Sequence, residues 1–227
     1  MTLHPPGRSS SRRLLLAAAA YWPLQLRATP QALVAAAQAG DTAALRRLLE
    51  SGTAVDARDE RRRTALLAAT HANQVESARL LIQRGADVNA KDDLQDSPFL
   101  YAGAQGRLEI LRLTLAAGAD LKSTNRYGGT ALIPAAHHGH VEVVRELLHT
   151  AIDVDHVNRL GWTALLEAVI LGDGGAAHTQ IVRLLLAHGA RADIADAQGV
   201  TPLAHAEQRG QTAIAALLRR ANVKPAR

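Results

Sequence analysis

Thr130-Ala131-Leu132-Ile133-Pro134-Ala135-Ala136, then His137-His138-Gly139-His140, then Val141-Glu142-Val143-Val144-Arg145-Glu146-Leu147-Leu148 reads as two short helices around a tight turn. The Thr130 hydroxyl stands where a side chain can cap the first helix, and the second helix is apolar at the i, i+3, i+4, i+7 spacing of one buried face. The same plan recurs along the chain. Gly40, Asn73, Gly106, Gly139, Gly172 and Gly210 stand 33, 33, 33, 33 and 38 residues apart. Gly52, Gly85, Gly118, Ala151, Gly189 and Asn222 keep the same period, and so do Thr64, Ser97, Thr130, Thr163 and Thr201. Three agreeing columns mark an internal repeat, which decides the fold before any single residue is read.

Glycine in the second column closes each second helix in the left-handed conformation, which it enters without a Cβ clash. Asn222 is expected to take the same geometry in the last repeat, and Ala151 to distort the helix end it occupies. Pro98 and Pro202 directly follow their capping residues, where a missing N–H costs nothing. No such unit buries its apolar face alone, so stacking must supply the core. The chain therefore reads as an all-α repeat solenoid of helix-turn-helix units with hairpin fingers, folded over 29–222 and followed by a tail over 223–227. The units fall at 30–58 (partial), 59–91, 92–124, 125–157, 158–195 and 196–222 (partial). With 48% hydrophobic residues the stack has material for a core despite only 3% aromatics.

Thr201-Pro202-Leu203, Gly139-His140 and Gly85-Ala86-Asp87-Val88-Asn89-Ala90 carry a resemblance to the ankyrin-repeat family, extending over about residues 30–222. The chain departs from that family at the signature histidine, which is Leu67, Leu100, Ile133, Leu166 and Ala204 here; the swap is expected to trade a hydrogen-bonded cap for apolar packing. The resemblance implies a non-catalytic, cofactor-free scaffold that holds a protein partner along a concave face made by finger tips and the exposed side of the first helices. A monomer is expected. Carried over position by position, the finger sites include Arg61 and Arg63, Tyr127, Leu160 and Trp162; the first-helix sites include His137 and His138, Ile170 and Leu171. Tyr127, Leu160, Trp162, Ile170 and Leu171 are apolar where such positions are commonly polar, and exposed apolar clusters mark interaction sites. The competing reading is that Ile170 and Leu171 lie under extra chain. Repeat five is longer than its neighbours, and the excess falls near Asp173-Gly174-Gly175-Ala176-Ala177, between its two helices, where a loop is expected.

The N-terminal 28 residues differ in kind. Arg8, Arg12, Arg13 and Arg27 lie there, and nothing acidic precedes Asp41. Ser11-Arg12-Arg13 is followed by an apolar run from Leu14 to Leu26 that resembles a cleavable bacterial export signal over 1–28, and its arginine pair resembles a twin-arginine signal. A mitochondrial-type transit peptide and a plain disordered tail on a cytoplasmic protein are the alternatives. The run is too short for a stable membrane span, and Pro23 weakens it further. Periplasmic or secreted localisation is the leading expectation. Within it the scaffold could also be a secreted effector binding a host protein, or an accessory or inhibitory subunit of a periplasmic enzyme. Without the four leader arginines, 22 basic residues face 21 acidic ones, so net charge gives no support to nucleic-acid binding.

The chain has no cysteine, which excludes disulfides and thiol catalysis. No serine sits in a Gly-x-Ser-x-Gly elbow, and Gly172-Asp173-Gly174-Gly175 lacks the lysine of a phosphate loop. His137, His138 and His140 bracket Gly139, but adjacent helical residues point about 100° apart, which argues against a shared metal ion. Arg61-Arg62-Arg63 adjoins Asp59 and Glu60, and the next finger carries Asp92, Asp93 and Asp96. That alternation reads as a salt-bridged surface ahead of a docking site for an acidic partner or a nucleic-acid stripe.

Overall fold

The computed structural model describes residues 29–223. Residues 1–28, where an export signal is expected, and residues 224–227 lie outside the described residues. Twelve helices follow one another: α1 Pro30–Ala39, α2 Thr42–Glu50, α3 Ala65–His71, α4 Val75–Gln83, α5 Pro98–Ala104, α6 Leu108–Ala116, α7 Leu132–His137, α8 Val141–Leu148, α9 Ala164–Ile170, α10 Ala176–Ala187, α11 Pro202–Gln208 and α12 Thr212–Val223. The odd-numbered helices pack on one another in chain order, the even-numbered ones do the same, and each pair closes one unit. This is the all-α repeat stack that the periodicity requires; among the described residues the only β pairing is an isolated bridge between Arg58 and Thr64.

The first helices are rich in small residues for a packing reason. Ala69, Ala102, Ala135, Ala136 and Ala168 are buried, and a Cβ on Gly103 would lie 2.8 Å from that of Ala131, so neighbouring helices approach too closely for larger side chains. Leu66, Phe99, Leu132 and Leu165 fill the remaining space, and Leu45, Leu81, Leu111, Leu147 and Leu185 contribute the second-helix layer. The apolar replacements of the signature histidine pack as expected: Leu67, Leu100, Ile133 and Leu166 are buried, and Ala204 is half-buried.

Four of the five hydroxyl caps form, with Thr64, Ser97, Thr163 and Thr201 each accepting the N–H three residues on at 3.2 to 3.3 Å. Thr130 does not cap, contrary to expectation; its Oγ1 is buried without a partner, and α7 starts one residue late. Pro134 is the cause. In the other units the residue at that position donates its N–H to the capping residue's carbonyl, as Tyr101 does to Ser97 at 2.9 Å, and proline has none to give. The N–H of Ile133 turns to the Thr130 carbonyl at 3.3 Å instead, tightening the first turn and taking the hydroxyl's position away.

Helix ends behave in the same position-specific way. Where glycine is present, as at Gly85 with φ 84°, the N–H of Ala86 reaches back to the Leu81 carbonyl at 3.0 Å. At Ala151 that closure is replaced: the Thr150 hydroxyl donates to the Leu147 carbonyl at 2.6 Å and accepts the Ile152 N–H at 3.2 Å. The expected distortion is therefore a side-chain substitute for a backbone bond. Asn222 corrects the sequence reading, because α12 continues through it to Val223. Val223, assigned to the tail, is helical as well.

The fingers are built on a fourth column. Asp59, Asp92, Asn125, Asn158 and Asp196 each use Oδ1 to accept two N–H groups, two and four residues on, as Asn158 does from Leu160 at 2.9 Å and Trp162 at 3.0 Å. The second Asx atom reaches the first helix of its own unit in Asn158, to Glu167, and in Asp196, to His205, whereas in Asp59 it pairs with Arg63 of the same finger.

Candidate functional site

The fingers and the first helices enclose a groove of about 610 Å³ spanning units two to five. Its apolar wall is Leu94, Tyr127 and Leu160 from the fingers with Leu171 at the end of α9, and these side chains are 57%, 53%, 51% and 42% exposed. Its first-helix wall is His71, Tyr101, Ile133, Pro134, His137 and His138. Among the sequence-predicted residues, Tyr127, His137, His138, Leu160 and Leu171 meet here. Ile170 is half-buried and Trp162 is half-buried, and neither lines the groove. Arg61 and Arg63 also lie off it; Arg63 is tied to Asp59 at 2.8 Å and Arg62 faces Asp93 at 4.0 Å, the salt-bridged surface anticipated for that run.

The lengthened repeat leaves Leu171 open. Instead of a long loop, the extra residues add a turn to the start of α10, and the connecting chain turns at Gly174 with φ 72°. Gly172 has lost the left-handed role of its column and serves close packing, since a Cβ there would lie 2.5 Å from the His178 ring. His178 Nε2 lies 2.8 Å from the His137 carbonyl and Nδ1 lies 2.7 Å from Asp173 Oδ1, two hydrogen bonds that pin the connection to the preceding unit.

At the groove floor Asn158 and Glu167 meet. Asn158 Nδ2 donates to Glu167 Oε1 at 2.9 Å, and His137 Nδ1 stands 3.7 Å from Oε2. The Glu167 side chain is only 9% exposed, and burial pushes its carboxyl up to about 7, with the Asn158 hydrogen bond acting in the opposite direction. Asp96 across the groove is also raised, first by burial and then by Asp92, against the pull of Arg126 at 3.9 Å. His137 is lowered by burial and then by His138 and His178, and His71 by burial. Nothing in the periodicity marks Glu167 as special. The available signals are that it is the one charged residue in α9 and that its partner Asn158 belongs to the Asx column.

Aromatic contacts stiffen the walls. His71 stacks on Tyr101 with centroids 3.9 Å apart, and the Arg126 guanidinium lies 4.8 Å from the Tyr127 centroid. The rings of His137 and His138 stack at 4.3 Å, closer than a 100° separation on a helix suggests; His138 is the capping residue of α7, where the regular helix ends. Imidazole lone pairs lie in the ring plane, so parallel rings at this spacing do not converge on one ion. Among the described residues no group of three or more His, Asp or Glu side chains is placed to hold a metal. No serine, threonine or lysine lines the groove. Among the described residues no helix is long and apolar enough to cross a membrane.

Comparison with known proteins agrees with this architecture. A family profile described as Ankyrin repeats (3 copies) matches residues 12–92 and 99–177, and one described as Ankyrin repeat matches 160–197. The crystal structure of an ankyrin repeat domain, ABAYE2397 from Acinetobacter baumannii AYE, is 58% identical with a TM-score of 0.82, covering 85% of this chain and 98% of that one. The ankyrin repeat protein EF0377 is 44% identical with a TM-score of 0.81 over 84% and 98% of the two chains. The ankyrin repeat domain of Bcl-3, of the IkappaB family, is 28% identical with a TM-score of 0.76 over 85% and 86%. YahD of Escherichia coli (strain K12), named as an ankyrin repeat protein, is 50% identical over 52 residues, 23% of this chain. The match spans 26% of that curated relative's length.

Proposed function

The chain belongs to the ankyrin-repeat family, whose members are generally protein-interaction scaffolds, and from that premise we propose that it is a non-catalytic binding module holding one protein partner in the groove of units two to five. One observation carries this reading: Leu94, Tyr127, Leu160 and Leu171, large apolar side chains left in water, line a single groove together. Exposing them costs free energy that a partner's cover would recover. The stacked His71–Tyr101 and His137–His138 pairs hold the opposite wall rigid, which lowers the entropy lost on binding. The export-like leader supports a periplasmic or secreted setting, with the protein acting on a neighbouring periplasmic enzyme or, in a host, as an effector.

The test is affinity capture from extracts of the source cells, using the native protein and the Leu160→Asp/Leu171→Asp variant. A partner recovered in stoichiometric amount by the native protein and lost with the variant is expected. Equal recovery on both would place the interface elsewhere.

A further inference from the structure

We propose that Glu167 is the receptor for a cationic side chain, arginine or lysine, carried by the partner segment that fills the groove, with the apolar wall of Tyr127, Leu160 and Leu171 taking that segment's flanking residues. This rests on the groove being the binding surface. The Glu167 side chain is more than nine-tenths buried, yet it lines an open cavity, and only one of its carboxylate oxygens has a hydrogen-bond partner. Oε2 has His137 Nδ1 at 3.7 Å, beyond hydrogen-bond reach, and no arginine or lysine of the described residues comes within 4.0 Å. A buried carboxylate without a counter-charge is costly, and a guanidinium or ammonium entering from the groove would supply the missing partner. Asp96 adds to the same field from the opposite wall, because among the described residues its one cation within 4.0 Å, Arg126, stands 3.9 Å away and leans over Tyr127. Charge and shape thus select the guest: a cation at the floor, apolar neighbours at the rim.

Binding of a cation requires Glu167 ionised, so affinity should rise with pH. The titratable groups sharing the groove are His71, Asp96, Arg126, His137 and His138; of the helices packed on α9, α10 brings His178, paired with Asp173, and α11 brings His205, paired with Asp196. Protonated histidines would repel the guest and act in the same direction, which makes a variant without the carboxylate the necessary control.

The experiment selects binders from a random 12-residue peptide library on the full chain at pH 8, then measures the recovered peptides against the native protein, Glu167→Gln and Leu160→Asp/Leu171→Asp. Glutamine keeps the volume and can still accept the Asn158 hydrogen bond, so the fold is retained. The expected result is enrichment of arginine or lysine between apolar residues, with affinity falling at least about tenfold on Glu167→Gln. From pH 6 to pH 8 affinity for the native protein should tighten about tenfold, against a flatter response in the variant. Groove binders that lack a basic residue, or that bind Glu167→Gln equally, would overturn the cation receptor while leaving the groove as the binding surface. Peptides indifferent to Leu160→Asp/Leu171→Asp would overturn both.

Discussion

Replacing Glu167 with glutamine should make the protein more stable at pH 8 and change it little at pH 5. The carboxyl is held up to about 7 in the folded protein against 4.5 for an ordinary glutamate, so between those values the folded state binds the extra proton. Stability from this group is complete below the unfolded value and is lost as pH rises through the folded one. One pKa unit corresponds to 1.36 kcal/mol, so the full swing is about 3 kcal/mol, most of which falls between pH 5 and pH 8. Glutamine does not titrate and keeps the acceptor that Asn158 requires at 2.9 Å. Urea titrations of both proteins at pH 5, 6, 7 and 8 give the comparison: histidines remote from the site contribute equally to both profiles, so the difference reports position 167 together with its neighbour His137, 3.7 Å away. The variant should match the native protein to within about 1 kcal/mol at pH 5 and exceed it by about 2–3 kcal/mol at pH 8. Parallel profiles across this range would show that Glu167 ionises like an exposed glutamate, and the argument from burial would fail.

Leu147→Ala removes a fully buried side chain from a central unit and should cost about 2–5 kcal/mol, whereas Leu217→Ala, partly buried in the last helix, should cost less because the end unit can open alone; equal losses in denaturant titrations would contradict that. For the leader, a reporter fused to residues 1–35 is expected to reach the periplasm and to lose most export when Arg12 and Arg13 become lysine, read by cell fractionation. Continued export of the double variant would point to the general secretory route, and a wholly cytoplasmic native fusion would reject the signal.

The stack of helix pairs and the distortion at Ala151 were legible in the chain, because each depends on residues within one period: a cap, a glycine, an apolar stripe. The same locality explains two readings that failed. Thr130 was expected to cap, but the deciding residue is Pro134, four positions on, whose missing N–H moves the helix start. Asn222 was expected to end a helix as its column does, but α12 runs through it to Val223. The groove was half legible. Tyr127 and Leu160 follow from one register and Leu171 from that of His138, whereas Trp162 and Ile170 stand in the registers of Gly129 and His137 and do not line the cavity as those two residues do.

Periodicity by itself determined that this protein is a stack and which positions face outward, since a repeat too small to bury its own apolar face must bury it against a copy of itself. Only the tertiary structure decided what the groove can recognise. Asn158 and Glu167 are nine residues apart and His137 belongs to the preceding unit, so their meeting is made by stacking α7 on α9. The raised carboxyl is a property of that meeting and of the water it excludes; a glutamate written in a sequence carries no burial, and burial is what changes its chemistry.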